Sequence, residues 1–150
     1  MTPLLRAAAG ADLPAVGELL GRSGLPTSDL QTSRPQFIVA CEGENVVGVG
    51  ALEQRGAAAL LRSVAVAPLW RRSGLGHQIV RALERQARAA GIAELFLLTL
   101  TAQEFFEREG YRVVERAQVP PAVQESAEFR SLCPVTAVCM LKTLRRTDPL

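Results

Sequence analysis

Two guanidinium groups and two glycines fall within the run Arg71-Arg72-Ser73-Gly74-Leu75-Gly76, and His77 follows them. This grouping suits an anionic ligand. A helix beginning at Ser73-Gly74 has first-turn N–H groups without intrahelical acceptors, and the positive end of its dipole points into the preceding loop. Glycines at 74 and 76 let an anion come close to the backbone, and Arg71 and Arg72 add positive charge beside it. The pattern reads as a cradle for a pyrophosphate.

A second chemically notable residue precedes it. Arg62 interrupts the apolar run Leu60-Leu61-Arg62-Ser63-Val64-Ala65-Val66. A charge there is costly unless it is paired or opens into a cleft. In a cleft, its guanidinium could grip a substrate carboxylate with two parallel hydrogen bonds. Pairing with a structural carboxylate such as Glu128 is the other reading. Strand alternation sends Ser63 to the opposite face, so one of the two suffices to line a site.

The elements that position these residues follow from periodicity. A first strand is expected at 4–7, then a helix with Asp12 as N-cap, Pro14 in its first turn, and Leu13, Val16, Leu19 and Leu20 on one face. Gly21 and Gly24 mark its end. The polar, turn-rich stretch 25–35 is a connection with room for one short helix; such connections sometimes wall a substrate site. Strands at 37–41 and 46–52 read as a hairpin around Gly43-Glu44-Asn45, and a long strand follows at 58–66. A helix over 74–90 carries Leu75, Ile79, Val80, Leu83 and Ala87 on its inner face, with Glu84 and Arg88 as an outward i,i+4 pair. The apolar run 95–100 reads as a central strand. Thr101 to Glu104 matches a capping box that opens a short helix ending at Gly110. Strands at 111–114 and 135–141 complete a mixed α/β order, with a short helical or irregular segment after Pro120-Pro121.

Composition narrows the function classes. The chain has 150 residues, 48% of them hydrophobic, and a net charge of +2, from Lys+Arg 17 and Asp+Glu 15. This fits one globular domain, expected over 1–144 with a tail at 145–150, and gives no argument for a nucleic-acid or membrane partner. The N-terminus lacks the pattern of a signal peptide, and Cys41, Cys133 and Cys139 form no C-x-x-C pair, so reduced thiols in a cytoplasmic protein and no metal site are expected. Cys133 and Cys139 read as small buried hydrophobes.

The spacing Arg71-x-x-Gly74-x-Gly76 behind Val64-Ala65-Val66-x-Pro68 resembles motif A of the GNAT acyltransferases. The block Phe105-Phe106-Glu107-Arg108-Glu109-Gly110-Tyr111 resembles that family's Y-E-K-x-G-F motif, and the opening Arg6-x-Ala8 with Asp12-Leu13-Pro14-Ala15-Val16 agrees. The likeness covers about the whole chain. It implies a single-domain GNAT fold, with a mixed, mostly antiparallel sheet splayed at the acetyl-CoA site and flanked by helices. The segments Leu98-Thr99-Leu100-Thr101-Ala102-x-x-Phe105-Phe106, Gly24-Leu25-Pro26 and Phe129-x-Ser131-Leu132-Cys133-Pro134-x-x-Ala137-Val138-Cys139-Met140 are similar to amino-acid N-acetyltransferases. They resemble in particular the acetyltransferase domain of N-acetylglutamate synthases and the small bacterial enzymes associated with arsenic resistance.

The resemblance implies acetyl-CoA as co-substrate and direct attack by an amine. Val64, Ala65 and Val66 would hold the pantetheine through their backbone. Arg71, Arg72, Ser73, Gly74, Leu75, Gly76 and His77 would hold the pyrophosphate, while Thr99, Thr101, Phe105 and Phe106 would sit near the thiol end. The acceptor would be a small amino acid or a glutamate-like molecule, organoarsenicals included, bound by Arg62 and Ser63. Glu53 is the candidate base, directly or through water. The family's acidic tyrosine is replaced by Phe106, which has no proton to give. That departure favours a second expectation, an acetyl-CoA-binding sensor or interaction module; an enzyme acting on a protein N-terminus or lysine is a third. A homodimer with an exchanged C-terminal strand is also consistent with the family.

Overall fold

The computed structural model describes residues 3–144; the tail expected at 145–150 lies outside them. Its first half runs β1 (Leu4–Ala7), α1 (Leu13–Arg22), α2 (Leu30–Ser33), β2 (Gln36–Glu42), β3 (Asn45–Arg55) and β4 (Ala58–Val66). The second runs α3 (Leu75–Ala89), β5 (Glu94–Thr99), α4 (Gln103–Arg108), β6 (Arg112–Val113), α5 (Pro121–Gln124), a π turn (Glu128–Leu132) and β7 (Val138–Thr143).

The strands form one seven-stranded sheet in the order β1-β2-β3-β4-β5-β7-β6. β4 and β5 are parallel and every other pair is antiparallel. The parallel pairing is short: Ala58, Ala59 and Leu60 meet Glu94, Leu95 and Phe96, after which the two strands part. From Leu61 onward β4 keeps β3 on one side and has an open edge on the other. The expected splay is therefore present.

α3 covers one face of the sheet. Its buried stripe Leu75, Ile79, Val80, Leu83 and Ala87 packs with Ala40, Leu61, Leu95, Leu97 and Met140. The helix lies so close to β3 that a Cβ on Gly50 would meet Ile79 Cγ2 at 2.6 Å and Leu83 Cδ1 at 2.8 Å. The other face has two apolar clusters. Val16, Leu19 and Leu20 of α1 cover Val39, Val49 and Ala65. Val119 and Val123 cover Ala58, Phe96, Cys139 and Leu141.

Several local expectations are corrected. The Asp12 carboxylate does not cap α1; it accepts the Ala9 N–H at 2.7 Å and takes Arg6 in a two-pronged pair at 2.7 and 3.0 Å. Those bonds hold its carboxyl at about 2, Arg6 contributing most. Leu13 is half-exposed rather than part of the helix's buried face. Glu84 is not on the outside of α3. It is fully buried, accepting from Tyr111 Oη at 2.9 Å and from Lys142 Nζ at 3.0 Å. Thr101 does not cap α4, whose N-cap is Ala102; Thr99 Oγ1 accepts the Ala102 N–H instead. The last strand starts at Val138, because 134–137 closes as a turn with Ala137 N–H donating to Pro134 O and Val135 exposed. β7 is flanked by β5 and β6 of the same chain.

Candidate active site

The backbone of β4 sets the site. Between Val49/Ala65 and Ala51/Arg62 the β3–β4 ladder slips by one residue, leaving Ser63 in the left-handed region at φ 58°. Such a bulge bends the strand and re-aims its side chains. The alternation expected for Arg62 and Ser63 is thereby broken: both are buried, and Arg62 Nε donates to Ser63 Oγ at 3.3 Å. Past the bulge, Ala67 N–H donates to Val47 O on the β3 side. Pleating then turns the N–H of Val66, and that of Val64, toward the edge that β5 has left.

A cavity of about 480 Å³ opens in that gap. It is lined by Leu61–Val64 of β4, by residues 97–102 with Phe106, and by 23–26, Ser28 and the turn from Leu132 to Ala137. Thr99, Thr101 and Phe106 line it, together with Arg62, Ser63 and Val64. Phe105 does not: its ring stands edge-on to Phe106 at 5.0 Å and closes over Gly76, whose Cα could carry no Cβ without approaching Phe105 Cζ at 3.3 Å. Ala65 is buried under α1, and Glu53 also lies behind the cavity wall.

At the N-terminus of α3, Gly74 is the N-cap at φ 86° and Arg72 adopts φ 64°. Gln78 N–H donates to Gly74 O at 3.1 Å. The N–H of Leu75 goes to Ser73 Oγ at 3.3 Å, which leaves the Gly76 and His77 amides without intrahelical acceptors. Ser73 Oγ is itself tied to Trp70 O, and Arg71 Nε to Val66 O at 3.2 Å. Leu75 points its side chain into the core, whereas Arg71, Arg72, Ser73 and Gly74 are exposed. His77 Nδ1 lies 2.8 Å from Glu109, joining the start of α3 to the end of α4.

Arg62 is not free. Its Nη1 and Nη2 meet Asp29 Oδ2 and Oδ1 at 2.5 and 2.7 Å, Nη1 also meets Glu53 Oε1 at 2.8 Å, and Nε lies 3.3 Å from Glu128 Oε2. The open carboxylate clamp expected from the sequence is thus filled by the protein's own acids, Glu128 among them. Burial pushes the Glu128 carboxyl up to about 7 despite Arg62, with Asp29 and Glu53 adding to the rise. Asp29 goes the other way: burial opposes it, but hydrogen bonds from Arg62 and Ser33 and the Arg62 charge hold it below the usual range. Glu53 Oε2 is buried without a hydrogen-bond partner, with Arg55 Nη1 at 3.5 Å. Asp29 escaped the sequence reading because nothing local links a loop residue to a strand residue 33 positions away. Cys133, expected as a buried hydrophobe, lines the cavity, and burial foremost raises its thiol to about 11.

A sheet split between two parallel strands, with a glycine-opened helix N-terminus beside the split, defines a cofactor-binding acyltransferase architecture. Residues 33–113 match the acetyltransferase (GNAT) domain, and the chain belongs to that family. It is 33% identical over 133 residues to an amino-acid acetyltransferase of Mycobacterium tuberculosis, covering 81% of this chain and 75% of that protein. It is also 33% identical over 88 residues to an uncharacterised N-acetyltransferase of Chlorobaculum tepidum, where it spans about half (54%) of the relative's length. Among solved structures, a Mycobacterium tuberculosis protein in complex with CoA and NLQ superposes with a TM-score of 0.80 at 28% identity, over 95% of this chain and 100% of that one. N-acetylglutamate synthase from Neisseria gonorrhoeae, complexed with coenzyme A and N-acetyl-glutamate, shares the fold with a TM-score of 0.82 at 20% identity; the match covers 97% of this chain and 36% of that chain. No helix among the described residues is long and apolar enough to cross a membrane.

Proposed function

We propose that this chain is an acetyl-CoA-dependent N-acetyltransferase acting on the amine of a small amino acid or amino-acid-like molecule. The observation that carries this reading is the single cavity that joins the β4–β5 gap to Arg62 and Ser63. With both substrates held in that one space, the amine attacks the thioester directly and no acetyl group needs to rest on the protein. The N-acetylglutamate and NLQ complexes of the neighbouring structures support an amino-acid acceptor. Glutamate analogues, organoarsenicals included, belong to that class. Walls at 23–28 and 132–137 favour a small acceptor over a protein chain.

In this reading the Gly74–His77 turn, with Arg71 and Arg72, takes the pyrophosphate, and the open-edge N–H groups of Val64 and Val66 pair with the pantetheine as an added strand would. One of these amides polarises the thioester carbonyl as negative charge develops on its oxygen. Thr99, Thr101 and Phe106 surround the thiol end. An amino-acid ammonium, with a pKa near ~8, must lose a proton before attack. Glu53, behind the cavity wall, receives it through intervening water, its Oε2 having no hydrogen-bond partner. Neither Phe106, which has no proton, nor Tyr111, whose Oη already donates to Glu84, supplies one to the leaving thiolate. A thiol with a pKa of about 8.5 leaves as thiolate without such help. Positioning, more than acid catalysis, carries the rate.

The test is release of CoA thiol from acetyl-CoA, scanned over amino acids, phosphinothricin-like and arsenical glutamate analogues, and short peptides. Turnover confined to small amino-acid-like acceptors is the expected result. Turnover with peptides alone overturns the acceptor class. Tight acetyl-CoA binding with no turnover on any amine overturns the enzyme and installs the sensor reading that Phe106 favours.

A further inference from the structure

We propose that Arg116 is a positioning residue that sets which acceptors fit, by holding the 134–137 turn in place as a fixed wall of the cavity. The inference rests on the acetyltransferase reading above and adds to it a residue that stands outside the cavity lining and acts through the turn.

The turn has little else to hold it. Pro134 and Ala137 line the cavity, with Leu132 and Cys133 just before them. Pro134, Val135 and Thr136 are exposed, Val135 at 89%, so no side chain at the tip is anchored in the core. Pro134 has no N–H to donate, and the Ala137 N–H closes the turn on itself by donating to Pro134 O at 3.0 Å. Among the described residues, the side-chain hydrogen bonds that reach this turn both come from Arg116. Its Nη2 donates to Pro134 O at 2.6 Å and to Ala137 O at 3.3 Å, one bond at each end. Both are charge-assisted.

The guanidinium is held from its own side as well. Its central carbon lies 5.8 Å from the centre of the Phe129 ring, within cation–π range. Phe129 belongs to the π turn that leads into Leu132 and Cys133, so one arginine touches the chain before the wall and both ends of the wall turn. At its base, Arg116 O accepts from Val119 N–H at 3.1 Å and from Gln124 Nε2 at 3.2 Å.

Space filling does not account for an arginine here. Its Nε is buried without an acceptor, and a buried donor left unpaired is costly. Methionine would fill a similar channel with no such donor. What arginine adds is the pair of bonds to Pro134 and Ala137. None of its partners belongs to Val64–Val66 or to the Gly74–His77 turn. Loosening the 134–137 turn therefore enlarges the acceptor's space and leaves the acetyl-CoA contacts in place.

The experiment measures thiol release by the wild type, Arg116→Met and Arg116→Lys with L-glutamate and with the bulkier dipeptide L-glutamyl-glycine, at varied acetyl-CoA. Arg116→Met should raise KM for L-glutamate about tenfold, equivalent to about 1.4 kcal/mol, while KM for acetyl-CoA stays in place. The dipeptide should gain activity relative to L-glutamate. Arg116→Lys, which keeps the charge without the planar fork, should recover part of both effects. An unchanged acceptor KM and an unchanged preference in folded Arg116→Met overturn the proposal. So does an equal rise in both KM values, which is what a merely structural role predicts. If neither variant folds, hydrogen exchange at the wild-type Ala137 amide decides. A protected amide supports a fixed wall, and exchange as fast as in an unstructured chain contradicts it. Should neither acceptor release thiol from the wild type, the acetyltransferase reading is what has failed. Ala137 exchange in Arg116→Met then still tests the hold on the turn: faster exchange than in the wild type supports it, and equal exchange overturns it.

Discussion

Gly50 and Ser63 mark the two sides of one slip in the β3–β4 ladder: Gly50 stands alone where Ser63 and Val64 stand together. The slip bends β4 away from β5, and the cavity lies in the resulting gap. An L-residue at Ser63's φ of 58° costs about 1–2 kcal/mol. Ser63→Gly should therefore hold or raise the melting temperature, while Ser63→Val, branched at Cβ, should lower it and raise KM for acetyl-CoA. Equal melting temperatures for the two variants would show that the bulge carries no strain.

On the other side of the slip, Gly50→Ala would put a methyl group 2.6 Å from Ile79 and 2.8 Å from Leu83. Overpacking of this kind typically costs about 1–3 kcal/mol. Because α3 also presents the Gly74–His77 turn, its displacement should weaken acetyl-CoA binding along with stability. Calorimetric titration of acetyl-CoA into the folded variant checks this.

The long elements were legible in the sequence because their apolar patterns are strong. β4 spans Ala58–Val66 as expected, and α3 differs from its expected bounds by one residue at each end. Gly74 also opens α3 where the Gly and Arg spacing put the start of that helix. What escaped depends on contacts distant in sequence. Glu84 and Arg88 satisfy the spacing of a surface pair, yet Glu84 lies between Leu83 and Ala87 on the buried side and meets Lys142, 58 residues away. Arg62 was singled out as a charge in an apolar strand. Its principal partner, Asp29, belongs to a loop that carries no periodic signal.

Glu84, Tyr111 and Lys142 tie α3 to the start of β6 and to β7. Tyr111→Phe leaves a buried carboxylate short of one donor and should destabilise by about 1–3 kcal/mol. Lys142→Met removes the countercharge and should cost more, about 3–5 kcal/mol. Urea unfolding ranks the two. In the proposed mechanism Tyr111 is not the proton donor, so kcat should survive its loss; a large fall in kcat for folded Tyr111→Phe would reassign that role.

Glu128 predicts a pH dependence of stability. Its folded pKa of about 7 exceeds its ordinary value of 4.5, so the folded state holds the proton more tightly than the unfolded one. The resulting stability is fully present below 4.5 and is lost as pH rises through about 7. Asp29, shifted downward, acts below that window. The unfolding free energy should fall between about pH 5 and about pH 7.5, and Glu128→Gln should flatten the slope. An unchanged slope in Glu128→Gln would place the titration elsewhere.

The most direct test of direct transfer within one cavity is mass spectrometry of the intact protein and its small molecules. The protein is mixed with acetyl-CoA, first alone and then with L-glutamate. Direct transfer predicts an unmodified protein in the first mixture, and N-acetylated amino acid formed in equal amount with CoA in the second. An acetyl group retained on the protein, on Cys133 for example, and passed on to the amine would contradict it.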